Sequence, residues 1–378
     1  MNIRPKKKSW KKYVMMIAST VVGAIFGVLI GGFLVTASEG KASPGEKIFS
    51  LAVLLICLYV ALYLQLIIHE AGHLVAGLWS GYEFSSFRIG SFMWIREDGK
   101  LRFKKLKIAG TGGQCLMSPP DMVDGTLPVL LYNFGGALMN LVAAGVSFVG
   151  YLLCKNMPYI SVFFLLMIFM GLVNAATNGI PMRLGMIDND GHNALALNKS
   201  KEAQRAFWVQ LKANAALLKG MKVKDMPQEW FYMPEDKDLK NSITVVMGVF
   251  WCNRLVELHR FEEASEEIKK FLEKDTAMVD LHRNLMICDL MYCELIGENR
   301  KELLEQLQDK EQKNFMKAMK NNPAVLRTEY VYALLGKKDK PEADKVLERF
   351  NKMALTYPYS ADIESERELI RIANEKNL

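Results

Sequence analysis

Histidine is scarce in this 378-residue chain, and its cysteines are not arranged as metal ligands or as a disulfide framework. The chain has five histidines and six cysteines, and no two cysteines form a C-x-x-C pair. Three of the cysteines lie in or beside apolar segments, which predicts reduced packing residues. Because so few nitrogen ligands are present, two histidines at ligand spacing are informative.

Acidic residues are rare in the first half of the chain. Only ten of the 41 precede Lys199, and the long uncharged runs lie in that half, whereas the second half has the mixed charge of a soluble helical domain. The net charge of +7 does not indicate a nucleic-acid partner, because much of it precedes an apolar span, where basic residues keep the N-terminus cytosolic. These basic residues are Arg4, Lys6, Lys7, Lys8, Lys11 and Lys12.

Four apolar segments are long enough to cross a bilayer, and they predict a multi-pass protein of the cell membrane. They are 14–37, 48–68, 127–154 and 158–180, and the second continues as a helix to about Trp79. Starting inside, four crossings return the chain to the cytosol, so both termini are predicted to be cytosolic. The loop between the second and third spans is rich in Lys and Arg, which agrees with this topology.

The segment that follows the second span alternates apolar and polar residues. This alternation predicts a small β-hairpin over residues 83–108, with a turn at Glu97-Asp98-Gly99-Lys100. The glycines at 110, 112 and 113 and the prolines at 119 and 120 are expected to break regular structure.

After Lys199 the apolar spacing is helical throughout, which predicts an all-α domain. Similar helix openings recur at Arg260, Asn299 and Lys340, at a pitch near forty residues. That pitch fits either stacked tetratricopeptide-like hairpins or an irregular helical bundle. The predicted domains are a basic N-terminus with the first transmembrane helix at 1–47, a membrane core at 48–198 and a cytosolic helical domain at 199–378.

The segment His69-Glu70-Ala71-Gly72-His73 closes the second apolar run. On a helix the two histidines lie one turn apart on one face, so both can bind one Zn²⁺ while Glu70 polarises a water molecule. The alternative is a pair of histidines that neighbouring helices satisfy. Charged and imidazole groups are costly in hydrocarbon, which favours the functional interpretation. The fourth span ends at the same depth, so either Asp188 or Asp190 can supply a third ligand.

Two further segments complete a recognisable pattern. Asn178-Gly179-Ile180-Pro181 ends the fourth span, with Asp190-Gly191-His192 after it, and a glycine-rich stretch from Asn133 to Asn140 opens the third. With the histidine motif they resemble the site-2 protease family of intramembrane zinc metalloproteases, over about residues 48–195.

The resemblance implies that His69, His73 and Asp190 bind zinc, that Glu70 is the general base, and that Asn178 helps to hold the substrate carbonyl.

The chain departs from the family pattern at one point. Eight residues separate Pro181 from Asp190, where the family has about four, which leaves Asp188 as a rival ligand. Asp190 is favoured because Gly191 follows it, and His192 is assigned a supporting role near the site.

These inferences predict an intramembrane zinc endopeptidase that cleaves a transmembrane or membrane-inserted peptide near its cytosolic end. The hairpin either holds an extended substrate along a strand edge or only caps the membrane face. The helical domain is expected to gate access or bind a cytosolic protein. The alternatives are another class of membrane zinc protease, and a catalytically idle scaffold that acts through its helical domain.

Overall fold

The computed structural model of the protein describes residues 20, 23–24, 27–28, 31–32, 43–97, 99–106, 112–184, 187–198 and 200–377. The chain forms two compact units. Among the described residues, one unit contains those up to Gly72 together with Gly136–Ile180, and the other contains His73–Gly135 and the residues from Pro181 onward.

The part of the chain that the structure describes contains three helices that are long and apolar enough to cross a membrane. They correspond to the second, third and fourth predicted spans, whereas the predicted span 14–37 lies largely outside the described residues. The three helices are α1 (Pro44–Trp79), α2 (Val129–Cys154) and α3 (Pro158–Gly179).

Within the first unit, α1 and α3 pack through a small apolar cluster. Leu54 and Ala61 of α1 meet Val162, Leu166 and Met167 of α3 there, and all five side chains are buried. The opposite faces of the helices carry exposed leucine, isoleucine, valine and phenylalanine side chains. Such surfaces are stable against lipid, because a helix satisfies its own backbone groups.

The predicted β-hairpin over 83–108 is part of a larger element, an antiparallel sheet of four strands in the order β3-β2-β1-β4. The strands are β1 (Glu83–Ile89), β2 (Phe92–Glu97), β3 (Lys100–Lys105) and β4 (Gly113–Ser118).

Two details of the hairpin prediction were wrong. The alternating run to Arg96 is two strands, because Gly90 adopts a positive φ of 59° and the chain reverses there. Gly113 does not end regular structure but begins β4, which pairs with β1 along its length.

The second half of the chain is helical, as predicted. Helices begin at Phe261, Lys301 and Lys340, close to the three predicted openings. The tetratricopeptide-like arrangement stays a prediction.

A two-stranded hairpin precedes the helices of the second half. Its strands are β5 (Arg183–Leu184) and β6 (Ile187–Asp188). The helices are α4 (Asp190–Asn198), α5 (Lys201–Leu218), α6 (Val245–Glu257), α7 (Phe261–Glu273), α8 (Asp280–Ile296), α9 (Lys301–Leu307), α10 (Lys310–Ala318), α11 (Pro323–Val331), α12 (Lys340–Ala354) and α13 (Ser360–Lys376).

The core of the second unit contains residues from both sides of residue 199. One buried cluster joins Met117 and Tyr132 with Val209, Leu211 and Met247. The sheet therefore packs directly on the helices that follow it in sequence.

Candidate metal centre

The last turns of α1 carry the histidine motif. His69, Glu70 and His73 are 6%, 6% and 7% exposed, which is unusually low for such polar side chains. The two histidines are four residues apart on one unbroken helix, so their rings lie on the same face. Buried polar groups of this kind need partners, and the positions of those partners decide what the rings can bind.

Each histidine ring is held through its Nδ1 atom. The Nδ1 of His69 lies 2.8 Å from Oδ1 of Asn140, and the Nδ1 of His73 lies 2.8 Å from the carbonyl oxygen of Tyr132. A carbonyl oxygen only accepts, so Nδ1 of His73 carries the hydrogen and its Nε2 keeps a lone pair. Metal-binding histidines are typically held in this way, with one nitrogen bonded to an oxygen and the other facing the ion.

Asp190 lies next to the second of these rings. Its Oδ2 is 3.2 Å from Nε2 of His73, and His69 lies one turn before that histidine on the same helix face. Two ligands of one tetrahedral Zn²⁺ are separated by about 3.3 Å, given metal–ligand bonds of about 2.0–2.2 Å. A hydrogen bond at this distance needs a hydrogen on Nε2, which the neutral ring with its hydrogen on Nδ1 does not have. Two imidazoles and one carboxylate, with Nδ1 of each ring already engaged, are a donor set that fits zinc.

The long connection between Pro181 and Asp190 is closed by Asn189. Its side-chain oxygen accepts hydrogen bonds from the backbone nitrogens of Met182 and His192, both at 2.9 Å. The second of these bonds caps the first turn of α4. The extra residues relative to the family spacing form the β5–β6 hairpin, so the chain returns to place Asp190 at the start of α4.

Asp188, the rival ligand, has a different neighbour. Its carboxylate is 3.5 Å from Nδ1 of His192, one helical turn on.

The two predicted catalytic residues lie on membrane-length helices. Glu70 follows His69 directly on α1. Asn178 lies in the last turn of α3, where its amide nitrogen donates to the carbonyl oxygen of Asn174 at 3.0 Å. Sequence reasoning did not single out Asn189, or Gln65 on α1, whose side-chain oxygen accepts a hydrogen bond from Asn140 at 2.8 Å. An asparagine directly before a predicted helix is a capping signal and identifies Asn189, whereas no local pattern identifies Gln65.

The model of peptidase family M50 matches residues 57–331. The chain belongs to peptidase family M50. M50 is the site-2 protease family, so the resemblance inferred from the motifs is confirmed. Its members are membrane zinc metalloproteases. The matched stretch includes α4 to α11, beyond the region covered by the motifs. No curated protein and no solved structure matched the chain.

Proposed function

We propose that this M50 peptidase is an intramembrane zinc metalloendopeptidase that cleaves a transmembrane or membrane-inserted peptide near the cytosolic face. The observation that carries the proposal is the contact between Asp190 and Nε2 of His73 at 3.2 Å, with the Nδ1 atoms of both His69 and His73 already bonded to oxygen. When bound, Zn²⁺ supplies a Lewis acid that lowers the pKa of water and polarises the scissile carbonyl.

Glu70 is proposed to move the proton. A buried carboxylate directly beside a metal ligand can accept a proton from the attacking water and return it to the leaving amine. Asn178 is proposed to donate its amide hydrogens to the substrate carbonyl, since its bond to the carbonyl oxygen of Asn174 lies within its own helix and can be exchanged for one to substrate.

The outer edge of β3, which faces away from β2, is proposed to hold the substrate in an extended form. Peptide bonds inside a helix are inaccessible, and an edge strand offers backbone hydrogen bonds to an unwound segment. The backbone nitrogen of Lys105 points out from this edge, where it donates to the carbonyl oxygen of Thr356 at 3.1 Å. The alternation of a strand places the nitrogens of Leu101 and Phe103 on the same edge.

The helical second half is proposed to gate access or to bind a cytosolic partner. A groove of about 850 Å³ in this half has more basic than acidic groups along its walls. The excess of positive charge favours an acidic protein segment as the partner. Its basic residues are Lys313, Lys317, Lys320, Lys337 and Arg349, and its acidic residues are Glu329 and Glu342.

The function is tested by separating metal binding from catalysis. Because Glu70 is proposed to act on water and not to bind the ion, Glu70→Gln should keep about one zinc per chain and lose cleavage by at least 100-fold. His69→Ala should lose both. Zinc content is measured on the purified full-length chain. Loss of cleavage is measured in cells, as the accumulation of uncut single-pass membrane proteins when the Glu70→Gln protein replaces the wild type.

Substantial cleavage by the Glu70→Gln protein would contradict the assignment of the base. A second outcome would favour the idle scaffold. In that case the wild-type chain binds zinc, but no membrane protein accumulates in cells when Glu70 is replaced.

A further inference from the structure

Gln65 lies one turn before His69 on α1 and is completely buried. Its amide nitrogen donates to the carbonyl oxygen of Met167 on α3 at 2.8 Å. Its amide oxygen accepts from Nδ2 of Asn140 on α2, also at 2.8 Å, and Oδ1 of that asparagine lies 2.8 Å from Nδ1 of His69. A continuous chain of hydrogen bonds therefore runs from a backbone carbonyl on α3 to a candidate metal ligand.

The direction of every bond in this chain follows from its first member. The carbonyl oxygen of Met167 can only accept, so Gln65 must turn its amide nitrogen toward α3 and its oxygen toward Asn140. Asn140 must then present its nitrogen to Gln65 and its oxygen to His69. An amide oxygen also only accepts, so Nδ1 of His69 must carry the hydrogen, and Nε2 keeps the lone pair that binds a metal.

The two histidines reach this state by different routes. The ring of His73 is oriented directly by the backbone carbonyl of Tyr132, which is fixed in a helix. The ring of His69 is oriented by a side chain, Asn140, whose amide nitrogen is held by the side-chain oxygen and the backbone oxygen of Gln65. The orientation of His69 therefore depends on groups that substitution can remove.

We propose that Gln65 is a positioning residue for the metal, which acts through Asn140 to fix the tautomer and ring orientation of His69. This inference rests on the proposed function, since it assumes that His69 binds zinc through Nε2. Groups that orient metal ligands from behind typically contribute 10–100-fold to metal affinity.

Gly171 on α3 leaves space for the chain of hydrogen bonds through Gln65 and Asn140. A Cβ atom at this position would lie 2.9 Å from the amide nitrogen of Gln65 and 3.0 Å from the backbone oxygen of Asn140. Gly171→Ala must therefore displace the Gln65 amide or move α2 at Asn140, although it removes no polar group. Gly145 on α2 is a matched control, because a Cβ atom there meets nothing within 4 Å.

The test measures metal affinity without any substrate. The full-length chain in detergent micelles is titrated with Zn²⁺ against a competing chelator, and the visible absorption of the Co²⁺-substituted protein reports the coordination geometry. We expect Gln65→Met and Gly171→Ala each to weaken zinc binding about tenfold and to change the cobalt spectrum. The effect of Gln65→Met is expected at the lower end of the range, because Asn140 keeps a second bond to the backbone oxygen of residue 65, at 2.9 Å.

Two further variants separate positioning from a general loss of packing. Gln65→Glu in its neutral form can donate to Met167 and accept from Asn140, so it should bind zinc more tightly than Gln65→Met. Gly145→Ala should bind as the wild type does. Equal zinc affinity and equal cobalt spectra in Gln65→Met, Gly171→Ala and wild type would overturn the proposal. A wild-type chain that binds no zinc would refute the proposed function itself.

Discussion

At the scale of single residues, the two aspartates after α3 have separate partners. Asp190 faces His73 at 3.2 Å, whereas Asp188 faces His192 at 3.5 Å. Because a third protein ligand contributes much of the affinity of a catalytic zinc site, these contacts predict different effects when the two carboxylates are removed.

We expect Asp190→Ala to lose most of its zinc and its activity, and Asp188→Ala to keep most of both. The zinc content of each purified variant, together with cleavage in cells, measures the difference, and the two substitutions act as controls for each other. Zinc lost from the Asp188→Ala protein and retained in the Asp190→Ala protein would move the third ligand to Asp188.

Asp362 predicts a pH dependence of stability. It lines a cavity of about 530 Å³, and burial, with repulsion from Glu257 and Glu366, raises the pKa of its carboxyl from 3.8 to about 8. A pKa that is higher in the folded chain means that the protonated form of Asp362 favours the folded state. Its contribution to the free energy of unfolding is therefore full below about pH 4 and is lost as the pH rises to 8.

We therefore expect the Tm of the full-length chain to fall by a few degrees from pH 6 to pH 8, and Asp362→Asn to reduce that fall. Calorimetry or fluorescence at the two pH values measures the difference. Glu364→Gln on the same helix is the control, since Glu364 is exposed. An unchanged slope in Asp362→Asn would show that other groups cause the dependence.

The sequence singled out the candidate ligands, which stay predictions, but not all of the polar residues that lie around them. The spacing of His69 and His73 follows from helix periodicity, and the family pattern favoured Asp190 over Asp188. The partners of Asn189 are only seven and three positions away, and a local capping signal was available there. The partners of Gln65 are 75 and 102 positions away, and no local pattern contains that information.

At the scale of elements, the apolar helices were predictable and the sheet was predictable only in part. Apolar length alone identified α1, α2 and α3. The Asp-Gly turn between β2 and β3 was also predicted, but Gly90 reverses the chain inside an alternating run, and β4 begins within a glycine-rich segment. The local sequence predicts a continuous strand at Gly90 and a break at Gly113. In both places pairing with neighbouring strands overrides that local preference.

The outer edge of β3 gives a prediction at this scale. Proline at position 103 removes an outward N–H without removing a bond to β2, so Phe103→Pro should reduce cleavage at least tenfold and leave zinc content unchanged. Phe103→Val keeps the N–H and the strand propensity, and it should cleave at close to the wild-type rate. Full cleavage by the Phe103→Pro protein would show that substrate does not add to this edge.

At the scale of the whole molecule, the uneven distribution of acidic residues predicted an apolar half and a soluble half. The proposed topology places Ser43 outside the cell and Asp236 in the cytosol, and both side chains are exposed. In intact cells, a cysteine at position 43 should therefore react with a membrane-impermeant reagent, and a cysteine at position 236 should react only after lysis. Equal labelling at both positions in intact cells would contradict the cytosolic assignment of the second half.

The packing of the sheet has a consequence for synthesis of the chain. Met93 and Ile95 of β2 are covered by Leu218 and Tyr359, and β3 bonds to the backbone of Thr356. A ribosome that adds about 5–20 residues per second reaches Tyr359 roughly 10–50 s after Met93. Throughout that time the nascent sheet lacks its cover. A chain that terminates before Tyr359 therefore exposes Met93 and Ile95, which makes truncated products candidates for degradation.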